Sequence, residues 1–253
     1  MAGLMIVFMF IAISYMIEVR SGAAKEQQRA VRLEEALADA QTAKDRADAL
    51  NKELERTNET VREIAASYSK IQTALYAALA KEFDSDLPKW NATLERDNTI
   101  RFNEPEVLFL VGEAQIRDRF KTILDDFFPR YLRIIYSEQF ASEIEEIRVE
   151  GHTSSMWKGA LTDAERYLKN ADLSQKRALQ VLSYCYQLES VDSRRADLIR
   201  DMRANGLSFA RPVLSGAGVE DVNLSQRVEF RVTTKTRERI LKILEAGSDG
   251  GGQ

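Results

Sequence analysis

Few residues in this chain carry reactive chemistry. One histidine and one cysteine occur in 253 residues. His152 alone cannot build a histidine-based metal site, and Cys185 sits in an apolar helical run away from any base that would activate it. Neither a GxGxxG nor a GxxxxGK[ST] loop occurs, which removes the common phosphate cradles. The adjacent carboxylates Asp125-Asp126 and Glu145-Glu146 read as solvated faces rather than as an acid and its base. The expectation is a protein with no catalytic residues, no metal and no cofactor.

Binding chemistry fits better. Val149-Glu150-Gly151-His152-Thr153-Ser154-Ser155 ends a strand-like run in a glycine turn. Further on, Asn170-Ala171-Asp172-Leu173-Ser174-Gln175-Lys176-Arg177-Ala178 reads as the opening of a helix, with Asp172 or Ser174 as its cap. Free N–H groups at such a start, with a guanidinium one turn in, suit a carboxylate ligand, which Arg177 would hold through a planar two-pronged contact. Each position also has a plainer reading. His152 can serve as a turn residue, Asn170 and Leu173 can shape the helix entry, and Arg227 can pair with Glu229 or Glu150 on a neighbouring strand.

These residues need a scaffold, and the pattern of apolar and turn residues predicts one. Strands are expected at 106–110, 146–150, 211–215 and 228–234, with helices at 114–136, 174–188, 194–204 and 236–244. Helices alternating with isolated strands give a small α/β sandwich, a mixed sheet with helices on one face. It is assigned to 99–245, followed by a Gly-rich flexible tail at 246–253.

Upstream lies a different kind of sequence. Residues 25–82 contain neither Gly nor Pro and are rich in Ala, Glu, Arg, Lys and Gln, so 18–98 reads as a helical stalk and linker that Pro88 helps to end. Positions such as Ala36, Ala40, Ala43, Ala47, Leu50, Leu54, Thr57, Val61, Ile64, Tyr68, Ile71, Leu75 and Ala78 alternate by four and three, the seam of a coiled coil. That predicts a self-associating stalk, or else one charged helix packed along its own domain or a partner.

Residues 1–17, MAGLMIVFMFIAISYMI, carry no charged side chain. At about 1.5 Å per residue they would rise roughly 25 Å in a hydrocarbon core about 30 Å thick, which suggests a transmembrane helix truncated at its start. A cleaved signal peptide and a buried helix are the other readings. Arg20, Lys25, Arg29 and Arg32 follow the segment and on charge alone would place the bulk of the protein in the cytoplasm. A net charge of -4 offers no basic field for nucleic acid, which is not expected as a partner.

Gly151-His152-Thr153, Asn170-x-x-Leu173-Ser174-x-x-Arg177-Ala178 and Arg227-Val228-Glu229-Phe230, in that order, resemble the signature elements of the OmpA/MotB-like peptidoglycan-binding family. The stretches 102–112 and 206–213 fit as well, so the resemblance covers about 99–235. It implies an OmpA-like α/β sandwich whose peptidoglycan-binding residues are His152, Ser154, Asn170, Leu173, Arg177 and Arg227. An apolar start, a stalk and such a domain form the layout of the B subunits of ion-driven stator motors, and the detailed wording is most similar to those of an anti-phage defence motor. The implied complex is a homodimer within a ring of multi-span MotA-like A subunits. It sits in the bacterial inner membrane as a single-pass protein with its C-terminal domain in the periplasm, driven by a proton or sodium gradient. The alternative is a membrane-to-wall tether without a motor.

Three departures stand out. The family usually has Asp after Gly-His-Thr, to meet an ammonium of the wall peptide, where this chain has Ser154; Asp163 or Asp172 would then substitute, or that contact is weaker. Ser225-Gln226-Arg227 keeps only the second of two family arginines. Stator B subunits also carry an ion-binding Asp near the start of the span. Residues 1–17 contain no carboxylate, so that Asp is expected upstream of Met1.

Overall fold

The computed structural model describes residues 2–103, 105–110, 112–159 and 162–235. It separates into two compact units, Met1–Val61 and Arg62–Gln253. Helix α1 runs over Ala2–Phe83, as the lack of helix breakers across 25–82 predicts. In the first unit every described side chain from 7 to 59 is exposed, among them Val7, Met9, Phe10, Ile11, Ile13, Tyr15, Met16 and Ile17. Among the described residues, no helix is long and apolar enough to cross a membrane. Met1 and the side chains of 2–6 and 8, on which the reading of 1–17 as a span depends, lie outside the described residues. So do the helix expected at 236–244 and the tail at 246–253.

The second unit begins inside α1, well before residue 99. Leu75, Leu79 and Phe83, spaced by four and therefore on one face, are fully buried in its core. Arg130 fastens this end of the helix. Its guanidinium donates to the Glu82 carboxylate (2.8 Å), the Glu82 carbonyl (2.8 Å), Asp86 (3.1 Å) and Asp126 (3.0 Å), and lies 4.9 Å from the centre of the Phe83 ring. Asn98, in the turn that follows, donates its side-chain amide to both the backbone carbonyl and the side chain of Gln72. Pro88 lies beyond the helical run as expected, but the turns before it already belong to the core.

The sheet has the order β1-β2-β5-β3-β4, from β1 (Ala92–Leu94), β2 (Ile100–Phe102), β3 (Ile144–Gly151), β4 (Met202–Gly206) and β5 (Val228–Thr234). Only β3 and β4 run parallel; the other neighbours are antiparallel. They are joined through helix α4 (Asp163–Gln187), the long crossover that parallel strands require. Helix α3 (Asp118–Ile135) packs Phe127, Phe128 and Tyr131 against Phe230 of β5, at ring separations of 5.0, 6.0 and 6.0 Å. The mixed sheet with an apolar, helix-covered face agrees with the expected sandwich.

Several boundaries differ from the sequence reading. The run at 106–110 is not a strand: helix α2 occupies Pro105–Leu108, with proline in the first turn, where its missing N–H costs nothing. Helix α4 begins eleven residues before 174. Its cap is Thr162, whose hydroxyl accepts from the Glu165 N–H (3.2 Å) while the Glu165 carboxylate accepts from the Thr162 N–H (3.0 Å). Asn170, Asp172 and Ser174 are thus interior helical residues. The helix expected at 194–204 stops as α5 (Arg195–Asp201), and β4 follows at once. The segment 211–215 is no strand, contributing a single bridge from Leu214 to Glu220; Pro212 has no N–H to offer a ladder. The hairpin of β1 and β2 was not anticipated.

Candidate functional site

The residues singled out from the sequence converge where β3 and β4 end, the location at which open α/β sheets hold ligands. Two glycines make the junction. A Cβ at Gly151 would lie 2.3 Å from the Ser174 carbonyl oxygen, and one at Gly206 would lie 2.3 Å from the Gln175 backbone nitrogen. The α4 backbone therefore rests directly on the strand ends. Its earlier turns, 163–173, extend past the end of the sheet.

A web of short bonds fixes the loops that leave the strands. The Leu207 N–H donates to the Gly151 carbonyl (2.9 Å), the Thr153 N–H to the Ser208 carbonyl (2.9 Å) and the Ser208 N–H to the Ser174 hydroxyl (2.9 Å). Glu220 reaches over from the later loop and accepts the Ser155 N–H (3.0 Å) and hydroxyl. Ser208 and Glu220 have no motif to mark them, because their roles depend on which loops the sheet brings together.

Asn170, Ser174 and Arg177 lie on one face of α4, and all three are buried, with Leu173 half-buried beside them. The Asn170 amide donates to the Arg166 carbonyl (3.1 Å). Arg177 does not stand at a free helix start as the sequence suggested. Its Nε donates to the Glu113 carbonyl (2.9 Å), and its guanidinium stacks 4.8 Å from the centre of the Phe109 ring. Among the described residues no carboxylate pairs with it. Burial pushes its pKa down to about 10. An enclosed cation of this kind favours an incoming anion.

His152, Ser154 and Arg227 are buried as well, but His152 and Arg227 belong to the opposite face of the sheet. There Glu150 faces Glu229 and Arg148 faces Arg231 across the β3–β5 ladder, so like charges stand opposite one another. Neighbouring guanidiniums relieve this: Arg231 lies diagonally 3.3 Å from Glu150, while Glu229 takes Arg101, its direct partner on β2 (2.8 Å), and Arg227, two residues back along its own chain (2.6 Å). Arg227 also donates to the carbonyls of Arg211 (3.2 Å) and Ser225 (3.1 Å), which ties the 211–225 loop to the sheet. Of the two sequence readings for Arg227, pairing with Glu229 is the geometry present.

Glu150, His152 and Glu229 offer ligand atoms within 4.8 Å of one another, a spacing a cation could use. Three guanidiniums already supply the positive charge there, which makes the group an ion-pair network. Burial lowers the pKa of His152 by more than Glu229, 3.5 Å away, raises it. Burial opposes charge on Glu229 too, but His152 and Arg227 outweigh it and hold that carboxyl well below the usual range.

Both shifts have the same sign for stability. The unfolded chain takes up protons that the fold refuses, so stability falls with pH, first below about 6.5 through His152 and then below about 4.5 through Glu229. The chain has one histidine, so the first step has one side-chain source. The melting temperature is expected to decline from pH 7 to 5.5 and to stay flat over that interval in His152→Gln. An identical slope in the variant would refute the assignment.

A mixed five-stranded sheet with one parallel pair, and a polar site at the ends of that pair, defines the protein as one carrying an OmpA-type domain; the OmpA family model matches residues 108–214. Among characterised proteins, the Zorya protein ZorB of Escherichia coli strain ATCC 8739 is 36% identical over 246 residues, which is 97% of this chain and 89% of the relative. The chain belongs to the ZorB family. Solved structures with similar folds include the cell wall anchor of the T6SS from Pseudomonas aeruginosa, at 24% identity and TM-score 0.43, covering 62% of this chain and 96% of that one. A putative MotB like protein from Desulfovibrio vulgaris follows at 20% identity and TM-score 0.42, covering 68% and 98%.

Proposed function

We propose that this chain is a non-enzymatic anchor whose domain grips peptidoglycan and whose N-terminal helix joins a motor complex in the inner membrane for defence against phage. The observation that carries the binding half is Arg177, a buried guanidinium with no carboxylate partner among the described residues. A carboxylate of the wall peptide would complete it, with Asn170 supplying a hydrogen bond and Leu173 and Ser154 lining the approach. His152 and Arg227 act by holding the strand ends and loops in place.

Membership of the ZorB family supports the defence and motor half. The exposed apolar residues from Val7 to Ile17 suit a bilayer, and exposed Leu50, Leu54 and Val61 suit a helix that pairs with a second copy. A ring of multi-span MotA-like subunits would enclose the paired helices and use a proton or sodium gradient. The wall contact would give that ring a fixed reference.

Cell fractionation tests the placement. The full chain should partition with the inner membrane, and its domain should become protease-sensitive only once the outer membrane is opened. Cysteines at Leu50 or Leu54 should crosslink between copies far better than cysteines at Glu53 or Arg56. A cytosolic protein, or equal crosslinking at all four positions, would overturn the reading.

A further inference from the structure

Tyr167 is the member of the α4 site face that remains open to solvent. With Asn170, Ser174 and Arg177 it follows the 3-4-3 spacing of one helical face. Those three are at most 2% exposed, whereas Tyr167 is 50% exposed. Ser174 and Gln175 rest on the strand ends, and Tyr167 lies two turns away from them along α4.

The ring is nonetheless held. Phe209, from the loop after β4, meets it edge to face at 5.9 Å between centroids and 89° between planes. The Ser208 hydroxyl donates to the Tyr167 carbonyl (3.3 Å), and the Ser208 N–H donates to Ser174 (2.9 Å), so the loop carrying Phe209 is tied to the same helix face. Trp157 does not offer an equivalent surface, because the Lys169 ammonium already lies 5.8 Å from its ring centre. The result is a flat, oriented aromatic surface, one helical turn from Asn170 and continuous with the face that presents Arg177.

We infer that Tyr167 is a stacking platform for a sugar ring of the ligand whose carboxylate Arg177 receives. The inference rests on the peptidoglycan reading and adds to it a division of labour: Arg177 selects the peptide, and Tyr167 selects the glycan to which the peptide is joined. A pyranose presents a face of C–H groups, which packs on an aromatic ring, and hydroxyls at its rim, which suit the neighbouring Asn170 amide and the Tyr167 phenol.

The test compares two soluble probes with the full chain in detergent: a disaccharide-peptide fragment of peptidoglycan and the same stem peptide without sugars. Wild type should bind the disaccharide-peptide more tightly. Tyr167→Ala should lose about tenfold for that probe, as for one lost aromatic contact, with the stem-peptide affinity unchanged. Tyr167→Trp should retain the preference. An unchanged disaccharide-peptide affinity in Tyr167→Ala, or an equal loss for both probes, would overturn the platform. So would equal affinity of wild type for both probes, which would leave the peptide site standing. Failure of wild type to bind either probe would overturn the peptidoglycan reading and the platform together.

Discussion

Alanine at Gly206 or Gly151 is expected to destabilise the second unit by about 3 kcal/mol, because the added methyl would overlap the α4 backbone, which cannot turn aside as a side chain can. The distances to backbone atoms, 2.3 Å in each case, leave no room without lifting the helix off the sheet. Against the 5–15 kcal/mol typical of a domain, that is a large fraction, and roughly a 10 °C fall in melting temperature is the expected reading. Gly216 is the control, since a Cβ there meets nothing within 4 Å and alanine should be close to neutral. Lifting α4 would also separate Ser174 from Ser208, so the site should loosen with the fold. Equal stability of the Gly206 and Gly216 variants would show that the close approach is unimportant.

Much of this arrangement could be read from the residues. The helical stretch before Phe83, strand β5 and most of β3 follow from composition and alternation, which report local geometry directly. The start of α4 was also written in the sequence, as Thr162-x-x-Glu165, a capping box. Asn170, Asp172 and Ser174 drew attention away from it because the same side chains favour caps when a helix does begin there. Strand β4 could not be found this way. Met202-Arg203-Ala204-Asn205-Gly206 lacks β-branched residues and becomes a strand because β3 pairs with it on one side. On its other side the Gln175 amide bonds to Ala204 and Gly206.

The site was legible in its membership and not in its geometry. Gly151, Asn170, Ser174 and Arg177 do converge. The sequence offered no sign that Arg177 would be enclosed, since its partners are the Phe109 ring and a backbone carbonyl at Glu113, contacts that no side-chain motif encodes. Nor did it indicate that Arg227 and His152 would sit on the opposite face of the sheet, which follows from strand register alone.

Arg177 is the most direct point of test, because the account gives a buried cation one purpose that packing does not supply. In co-sedimentation with purified sacculi, the full chain in detergent should bind, and Arg177→Ala should lose affinity by about thirtyfold or more, the equivalent of one charge-assisted contact to a carboxylate. Because Arg177 also bonds to Glu113, Arg177→Lys serves as the companion: it keeps a positive donor for that carbonyl but lacks the planar fork, and should stay folded while binding weakly. Asn170→Ala should add to the loss. Circular dichroism and melting establish that the variants remain folded. The account predicts folded Arg177→Lys with much reduced sedimentation on sacculi; wild-type sedimentation by folded Arg177→Ala or Arg177→Lys would contradict it.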